Sequence, residues 1–144
     1  MSIKKFKPVT PGTRFKIGNA YSEITADKPE KSLVVPMKRT GGRNNFGHRA
    51  MRYIGGGAKK MYRLIDFKRN KHGIPATVKT IEYDPNRSAR IARIKDDKGA
   101  LRYILATNGM KPGQKITAGE EASIENGNRL ALKDIPVGSV IHAI

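Results

Sequence analysis

Short apolar runs in the second half of the chain predict a series of β-strands. The runs are rich in β-branched and aromatic residues, which is typical of strands, and they span residues 61–68, 76–83, 88–95 and 101–106. Turn-forming residues separate them, as at 84–86 (Asp-Pro-Asn) and 96–99 (Asp-Asp-Lys-Gly). Four or five short strands at such intervals favour a small antiparallel barrel or sandwich. The positions predicted to fill it are Leu64, Ile65, Val78, Ile81, Ile91, Ile94, Tyr103 and Ile104.

The first 60 residues have weak periodicity and a different character. Pro8, Pro11, Pro29 and Pro36 are spaced so that no long helix fits among them. We therefore expect an extended arm over residues 1–60 and a barrel over residues 61–132. An apolar run at 137–144 predicts one further strand near the end of the chain.

The charge balance points to a polyanionic partner. Lys and Arg total 29 against 12 Asp and Glu, giving a formal net charge of +17, which a folded monomer holds only against strong self-repulsion. Nucleic acid relieves that repulsion and adds the free energy of counterion release. A membrane partner is disfavoured because neither a basic amphipathic helix nor an acylation motif is visible. The lack of cysteine, of a long apolar run and of a signal peptide predicts a cytosolic protein.

With this charge, an OB-like barrel preceded by a basic arm becomes the leading mainly β fold. The basic density is highest from residue 38 to 71, where Asp66 is the one acid among the cations Lys38, Arg39, Arg43, Arg49, Arg52, Lys59, Lys60, Arg63, Lys68, Arg69 and Lys71. A solvated face or a disordered tail is the plainer interpretation of such a run. Interspersed glycines, asparagines and aromatics favour RNA, since glycine permits close approach to phosphate and an aromatic ring stacks on an unpaired base.

We predict RNA contacts for all of these cations and for several neighbours. The additional residues are Asn44, Asn45, Gly55, Gly56, Gly57, Arg87 and Arg90. His48 is a further candidate for stacking. In the motif at 84–87 (Asp-Pro-Asn-Arg), Asp84 and Asn86 are expected to stabilise a turn, whereas Arg87 is free to reach phosphate.

Catalytic and cofactor chemistry finds little support. Residues 55–60 (GGGAKK) lack the spacing and the hydroxyl of a P-loop, and the three histidines lie in separate segments. The acidic pairs Asp96-Asp97 and Glu120-Glu121 fit solvated loops better than acid/base pairs. The sequence therefore predicts no enzyme, no small-molecule substrate and no cofactor, apart from Mg²⁺ that accompanies the RNA itself.

Several long motifs in order resemble the family of the second protein of the large ribosomal subunit. They stand at 40–45 (TGGRNN), 55–57 with Lys59, 62–71 (YRLIDFKRNK), 73–76 (GIPA), 82–89 (EYDPNRSA), 102–106 (RYILA) and 135–139 (IPVGS). The resemblance implies a structural rRNA-binding protein that supports subunit assembly and translation beside neighbouring ribosomal proteins. It also implies an OB-like barrel and a second, SH3-like barrel, of which residues 133–144 would be the truncated start.

Two positions depart from the family pattern. Ala58 replaces a usual histidine and Tyr53 replaces a frequent one, so contacts at these positions do not carry over. A free-standing OB-type RNA-binding protein or RNA chaperone is the alternative, and it requires exposed aromatics on the barrel face. The aromatic content of 6% and the lack of tryptophan disfavour it.

Overall fold

The protein is mainly β, as the computed structural model of residues 3–144 shows. The strands are β1 (Ile3–Lys5), β2 (Ile17–Asn19), β3 (Val34–Pro36), β4 (Met61–Arg63), β5 (Ala76–Glu82), β6 (Ile91–Asp96), β7 (Leu101–Leu105) and β8 (Lys115–Ile116). One short helix, α1, spans Pro11–Arg14, and 3₁₀ turns span Lys31–Leu33 and Leu132–Asp134. The predicted mainly β class is confirmed.

A four-stranded antiparallel sheet in the order β7-β6-β5-β8 is the centre of the fold. An irregularity between Val78 and Thr80 shifts the register of β5 against β6 and bends the sheet. A bridge from Ile65 to Tyr103 connects the chain that follows β4 to β7. β4 itself pairs with β3. The result is a curled half-barrel, in agreement with the predicted barrel-like antiparallel architecture.

The strand predictions for 76–83, 88–95 and 101–106 are confirmed in position: β5 and β7 each end one residue early, and β6 starts three residues late and ends one residue late. β6 begins at Ile91 because the preceding residues form a turn. The run 61–68 forms a strand only over Met61–Arg63. The predicted strand at 137–144 is wrong, because no strand of the described residues 3–144 pairs with that segment and Val137 and Val140 are fully exposed.

One face of the sheet forms the apolar core. Its buried residues are Ala76, Val78, Ala92, Ile94, Ile104, Met110 and Ile116. Of the predicted core residues, Val78, Ile81, Ile91, Ile94, Tyr103 and Ile104 are buried. The core prediction for Leu64 is wrong: Leu64 is 45% exposed, because β4 ends at the buried Arg63 and Leu64 lies beyond it.

The other face of the sheet carries polar side chains covered by an N-terminal segment. Thr80, Arg93 and Tyr103 lie side by side across β5, β6 and β7. The Tyr103 hydroxyl donates to Glu82 at 2.6 Å and accepts the backbone N–H of Glu30 at 2.8 Å. Residues near Glu30 therefore belong physically to the sheet, although they fall within the predicted arm.

The rest of the predicted arm has little regular structure. β1 and β2 form a small hairpin, and residues 37–60 contain no helix or named strand. The division into an arm at 1–60, a barrel at 61–132 and the start of a second barrel at 133–144 stays a prediction.

Candidate nucleic-acid interface

Residues 40–51, which we name the basic loop, fold back on themselves around Asn44. The Asn44 side-chain oxygen accepts backbone N–H groups of Phe46 at 3.0 Å and His48 at 2.9 Å. Its backbone N–H donates to the carbonyl of His48 at 2.9 Å. The side-chain oxygen of Asn44 therefore stabilises the fold of the loop. The predicted RNA contact of Asn44 stays a prediction.

The basic loop places two arginines opposite each other. Arg43 and Arg49 form an antiparallel bridge, and both side chains are exposed. Like charges directly opposite on neighbouring strands destabilise a pair. None of the ion pairs found within residues 3–144 involves either arginine. An anion bound by both arginines would remove the repulsion and accept forked hydrogen bonds.

Glycines in this region fall into two physical kinds. Gly42 has φ +78°, and an added Cβ would lie 2.8 Å from the Met51 carbonyl oxygen, so the loop itself requires glycine there. Gly55 and Gly56 have no atom within 4 Å of an added Cβ. Because intramolecular packing does not require glycine at these two positions, they leave an open backbone strip that another molecule can approach closely.

Some of the predicted contact residues are exposed cations with no ion pair to residues 3–144. They are Lys38, Arg43, Arg49, Arg52, Lys59 and Lys68. Asn45, Gly55, Gly56 and Gly57 are exposed on the same stretch of chain. Arg39 lies nearby but is engaged, because its guanidinium donates to the Gly56 carbonyl at 2.8 Å. We call the six cations without Arg39 the free cations, namely Lys38, Arg43, Arg49, Arg52, Lys59 and Lys68.

Other predicted contact residues are engaged by the protein. Lys60 Nζ donates to the Pro85 carbonyl at 3.0 Å, and Arg63 donates to the Met61 carbonyl at 2.6 Å. Arg69 donates to the Gly127 carbonyl at 2.7 Å, and burial lowers the pKa of its guanidinium. The bonds of Lys60 and Arg69 fasten the chain on both sides of β4 to the barrel, whereas the Arg63 bond lies within β4. RNA contacts at these positions stay predictions.

The motif at 84–87 forms a cluster with β4 around one buried carboxylate. The fully buried Asp84 accepts the backbone N–H of Asn86 at 2.9 Å and Arg87 Nε at 2.6 Å. The expected turn-stabilising role of Asp84 and Asn86 is confirmed. The Arg87 guanidinium also lies over the rings of Tyr62 and Phe67, 5.9 and 5.8 Å from their centroids. Burial alone would lower the pKa of Arg87, but the hydrogen bond to Asp84 outweighs it and raises the pKa.

A second buried ionic cluster was missed by the sequence reasoning. Asp96, expected in a solvated loop, is buried, and it accepts Lys71 Nζ at 2.8 Å and one arm of the Arg102 guanidinium. The other arm of Arg102 donates to Asp66. The signal was present in the alternation of β6, which places Asp96 on the same face as Ile94. The cluster fixes the loop 66–71 against the sheet.

Within residues 3–144, no helix is long and apolar enough to cross a membrane. No group of three or more His, Cys, Asp or Glu side chains in the same residues is placed to hold a metal ion.

Comparisons with known proteins agree with these features. A family model described as "Ribosomal Proteins L2, RNA binding N-terminal domain" matches residues 30–118. The chain is 60% identical over 144 residues to the "Large ribosomal subunit protein uL2" of Parabacteroides distasonis. This match covers 100% of the chain and 53% of that protein. The proteins of the same name from Cytophaga hutchinsonii and Bacteroides thetaiotaomicron are 57% and 58% identical to this chain over its full length. The match covers 52% and 53% of those two proteins.

The chain thus spans about half the length of the curated relatives it matches. The matched region begins at the covering segment near Glu30 and ends at Ala118, just after β8, so it includes the basic loop and the whole curled sheet. On this match, the chain belongs to the ribosomal protein L2 family.

Proposed function

We propose that this chain is a structural, rRNA-binding constituent of the large ribosomal subunit in the cytoplasm. It acts by binding rather than by catalysis, and it supports subunit assembly and translation. Its partners are large-subunit rRNA and neighbouring ribosomal proteins. Any Mg²⁺ in the complex is held by the RNA phosphates.

The observation that carries the proposal is the facing pair Arg43 and Arg49 in the basic loop. Two exposed arginines at opposed backbone positions, with no ion pair to residues 3–144, offer the charge and the forked donors that suit a phosphodiester. The other free cations flank this pair along the chain. Membership of a family whose matching domain is described as RNA-binding supports the same conclusion.

The basic residues differ in their partners within the protein, which supports two different roles. Cations such as Lys71 and Arg87 neutralise buried carboxylates and hold the chain flanking β4 on the barrel. The free cations then present their charge from a segment whose ends are fixed. Fixing both ends lowers the ordering cost that a wholly flexible arm would have on binding RNA.

Co-sedimentation tests the proposal directly. The chain, expressed in bacteria, should travel with large subunits or their assembly intermediates in a sucrose gradient at moderate salt. A variant with Arg43→Gln and Arg49→Gln should shift toward the top of the gradient, whereas Lys95→Gln with Lys98→Gln, an equal loss of charge on the barrel, should not. Recovery only in the free or small-subunit fractions would overturn the proposal and favour a free-standing RNA-binding protein or chaperone.

A further inference from the structure

Three side chains from separate segments meet outside the basic loop. The rings of Tyr21 and Tyr83 contact edge to face, with centroids 5.6 Å apart. The Arg90 guanidinium carbon lies 4.8 Å from the Tyr21 ring centroid. The two tyrosines are 46% and 45% exposed, so a large part of each remains open to solvent. We call these three residues the aromatic patch.

The aromatic patch is fixed in place by the sheet. The backbone N–H of Thr25 donates to the Ile81 carbonyl at 2.9 Å, and the Ile81 N–H donates to the Thr25 hydroxyl at 2.8 Å. A bridge between Ala26 and Glu82 follows, directly beside Tyr83. Tyr21 is thereby held near the edge of β5 although it lies far from Tyr83 in sequence.

The backbone at Tyr21 is strained. Its φ of +56° lies in the left-handed region, which an aromatic residue adopts at a cost. Its N–H donates to the Asn19 side chain at 2.9 Å, and its carbonyl accepts the N–H of Ile24 at 3.1 Å, which stabilises this turn. Burial of the ring does not repay the strain, because almost half of the side chain is exposed. Such strain is typical of residues positioned to bind something.

An open cleft adjoins the two rings. It has a volume of about 390 Å³ and is lined by Tyr21, Ile24, Asp27 and Tyr83. The exposed Asp27 is informative in a chain of net charge +17. A carboxylate repels phosphate but accepts N–H groups from the edge of a base.

We infer that the aromatic patch and its cleft bind one unpaired nucleobase of the RNA, in addition to the phosphates bound by the basic loop. The base stacks on the tyrosines, Arg90 adds cation–π attraction and charge for the adjoining phosphate, and Asp27 accepts from the base edge. Guanine fits best, because its Watson–Crick edge offers two neighbouring N–H donors to one carboxylate. Duplex RNA does not fit, because its base faces are stacked inside the helix. The inference rests on the proposed function.

The test uses the whole chain and a large-subunit rRNA fragment, with affinity measured over a range of salt concentrations. Tyr21→Leu removes the stacking ring and should weaken binding about 5- to 150-fold, the range for loss of one stacked base. The slope of log K against log salt should not change, because no phosphate contact is lost. The matched control Tyr21→Phe keeps the ring at the same backbone conformation and should bind like the unsubstituted chain.

The outcomes separate the two proposals. Failure of the unsubstituted chain to bind rRNA would overturn the proposed function. Normal RNA binding by the chain with an unchanged affinity for Tyr21→Leu would overturn the nucleobase site alone, as would a loss accompanied by a smaller salt slope. Tyr83→Leu, on the opposite side of the ring pair, repeats the test if Tyr21→Leu unfolds by circular dichroism.

Neutral nucleosides test the choice of base without phosphate. Guanosine should bind the aromatic patch more tightly than uridine, shifting the NMR signals of Tyr21 and Tyr83. Asp27→Asn should reduce that preference at least severalfold. Equal binding of the two nucleosides would overturn the assignment of Asp27.

Discussion

Replacing four free cations, Arg43, Arg49, Arg52 and Lys59, with glutamine is expected to weaken rRNA binding and to flatten its salt dependence. All four side chains are exposed and make no ion pair with residues 3–144. Their charge is therefore available to phosphate. Glutamine keeps much of the side-chain length and polarity, so the change removes charge with little effect on the loop backbone.

The size of the effect follows from counterion release. Each phosphate neutralised contributes about 0.7 to 0.9 to the slope of log K against log salt, so loss of four contacts should lower the slope by roughly 2.8 to 3.6. Over a fourfold rise in salt, the unsubstituted chain should therefore lose about 50 to 150 times more affinity than the variant does. Thermal stability should change little, because none of the four neutralises a protein carboxylate.

The assay is filter binding or fluorescence anisotropy with an rRNA fragment at a series of salt concentrations from about 50 to 200 mM. In this range the salt dependence that comes from counterion release is large. The matched control replaces Lys95, Lys98, Lys111 and Lys115, which are equally exposed but lie on the barrel. A control set that flattened the slope as much as the first set would show that the barrel, and not the basic loop, contacts the phosphates. The division of the cations described above would then be wrong.

Two further predictions concern the supports of the interface. Asp96→Asn should destabilise the fold by roughly 2 to 3 kcal/mol in urea denaturation at pH 7, because it weakens the charged hydrogen bonds from Arg102 and Lys71. Burial would raise the pKa of Asp96, but these two donors lower it overall, so its stabilisation should be complete above about pH 4 and be lost as the pH falls through the lowered pKa. If the difference in unfolding free energy between Asp96→Asn and the unsubstituted chain persisted undiminished at about pH 2, this account would be refuted. Gly42→Ala should weaken RNA binding by deforming the basic loop, whereas Gly56→Ala should leave the melting temperature unchanged and weaken binding only by blocking approach; equal affinities for both variants and the unsubstituted chain would contradict this interpretation.

The sheet was largely predictable from the sequence because local periodicity determines it. β5, β6 and β7 each bury one face on an apolar core, and this burial requires apolar residues at alternating positions along each strand. The failures came where pairing rather than periodicity decides. The segment 61–68 is as apolar as a strand, but after Arg63 only a single bridge, from Ile65, joins it to the sheet.

The basic stretch could be located from the sequence, but the ion-pair partners of its cations could not. Counting charges located the basic stretch 38–71 and the arginines near residue 87. It could not show which cations have carboxylate partners, because the partners are distant in sequence: Arg102 reaches back to Asp66, and Lys71 reaches forward to Asp96. The aromatic patch was missed for the same reason, since only the folded edge of β5 brings Tyr21 near Tyr83.

The charge polarity of the molecule follows from how the barrel uses its acids. Asp84, Asp96 and Glu82 are buried, and a buried carboxylate is tolerated only when cations and N–H groups neutralise it. Each has recruited a cation from the barrel or its immediate flank, namely Arg87, Lys71 with Arg102, and Arg93. These acids are therefore not available to pair with the basic loop. An RNA-binding surface can then remain strongly positive, because the same ion pairs that stabilise the sheet keep its carboxylates away from the RNA.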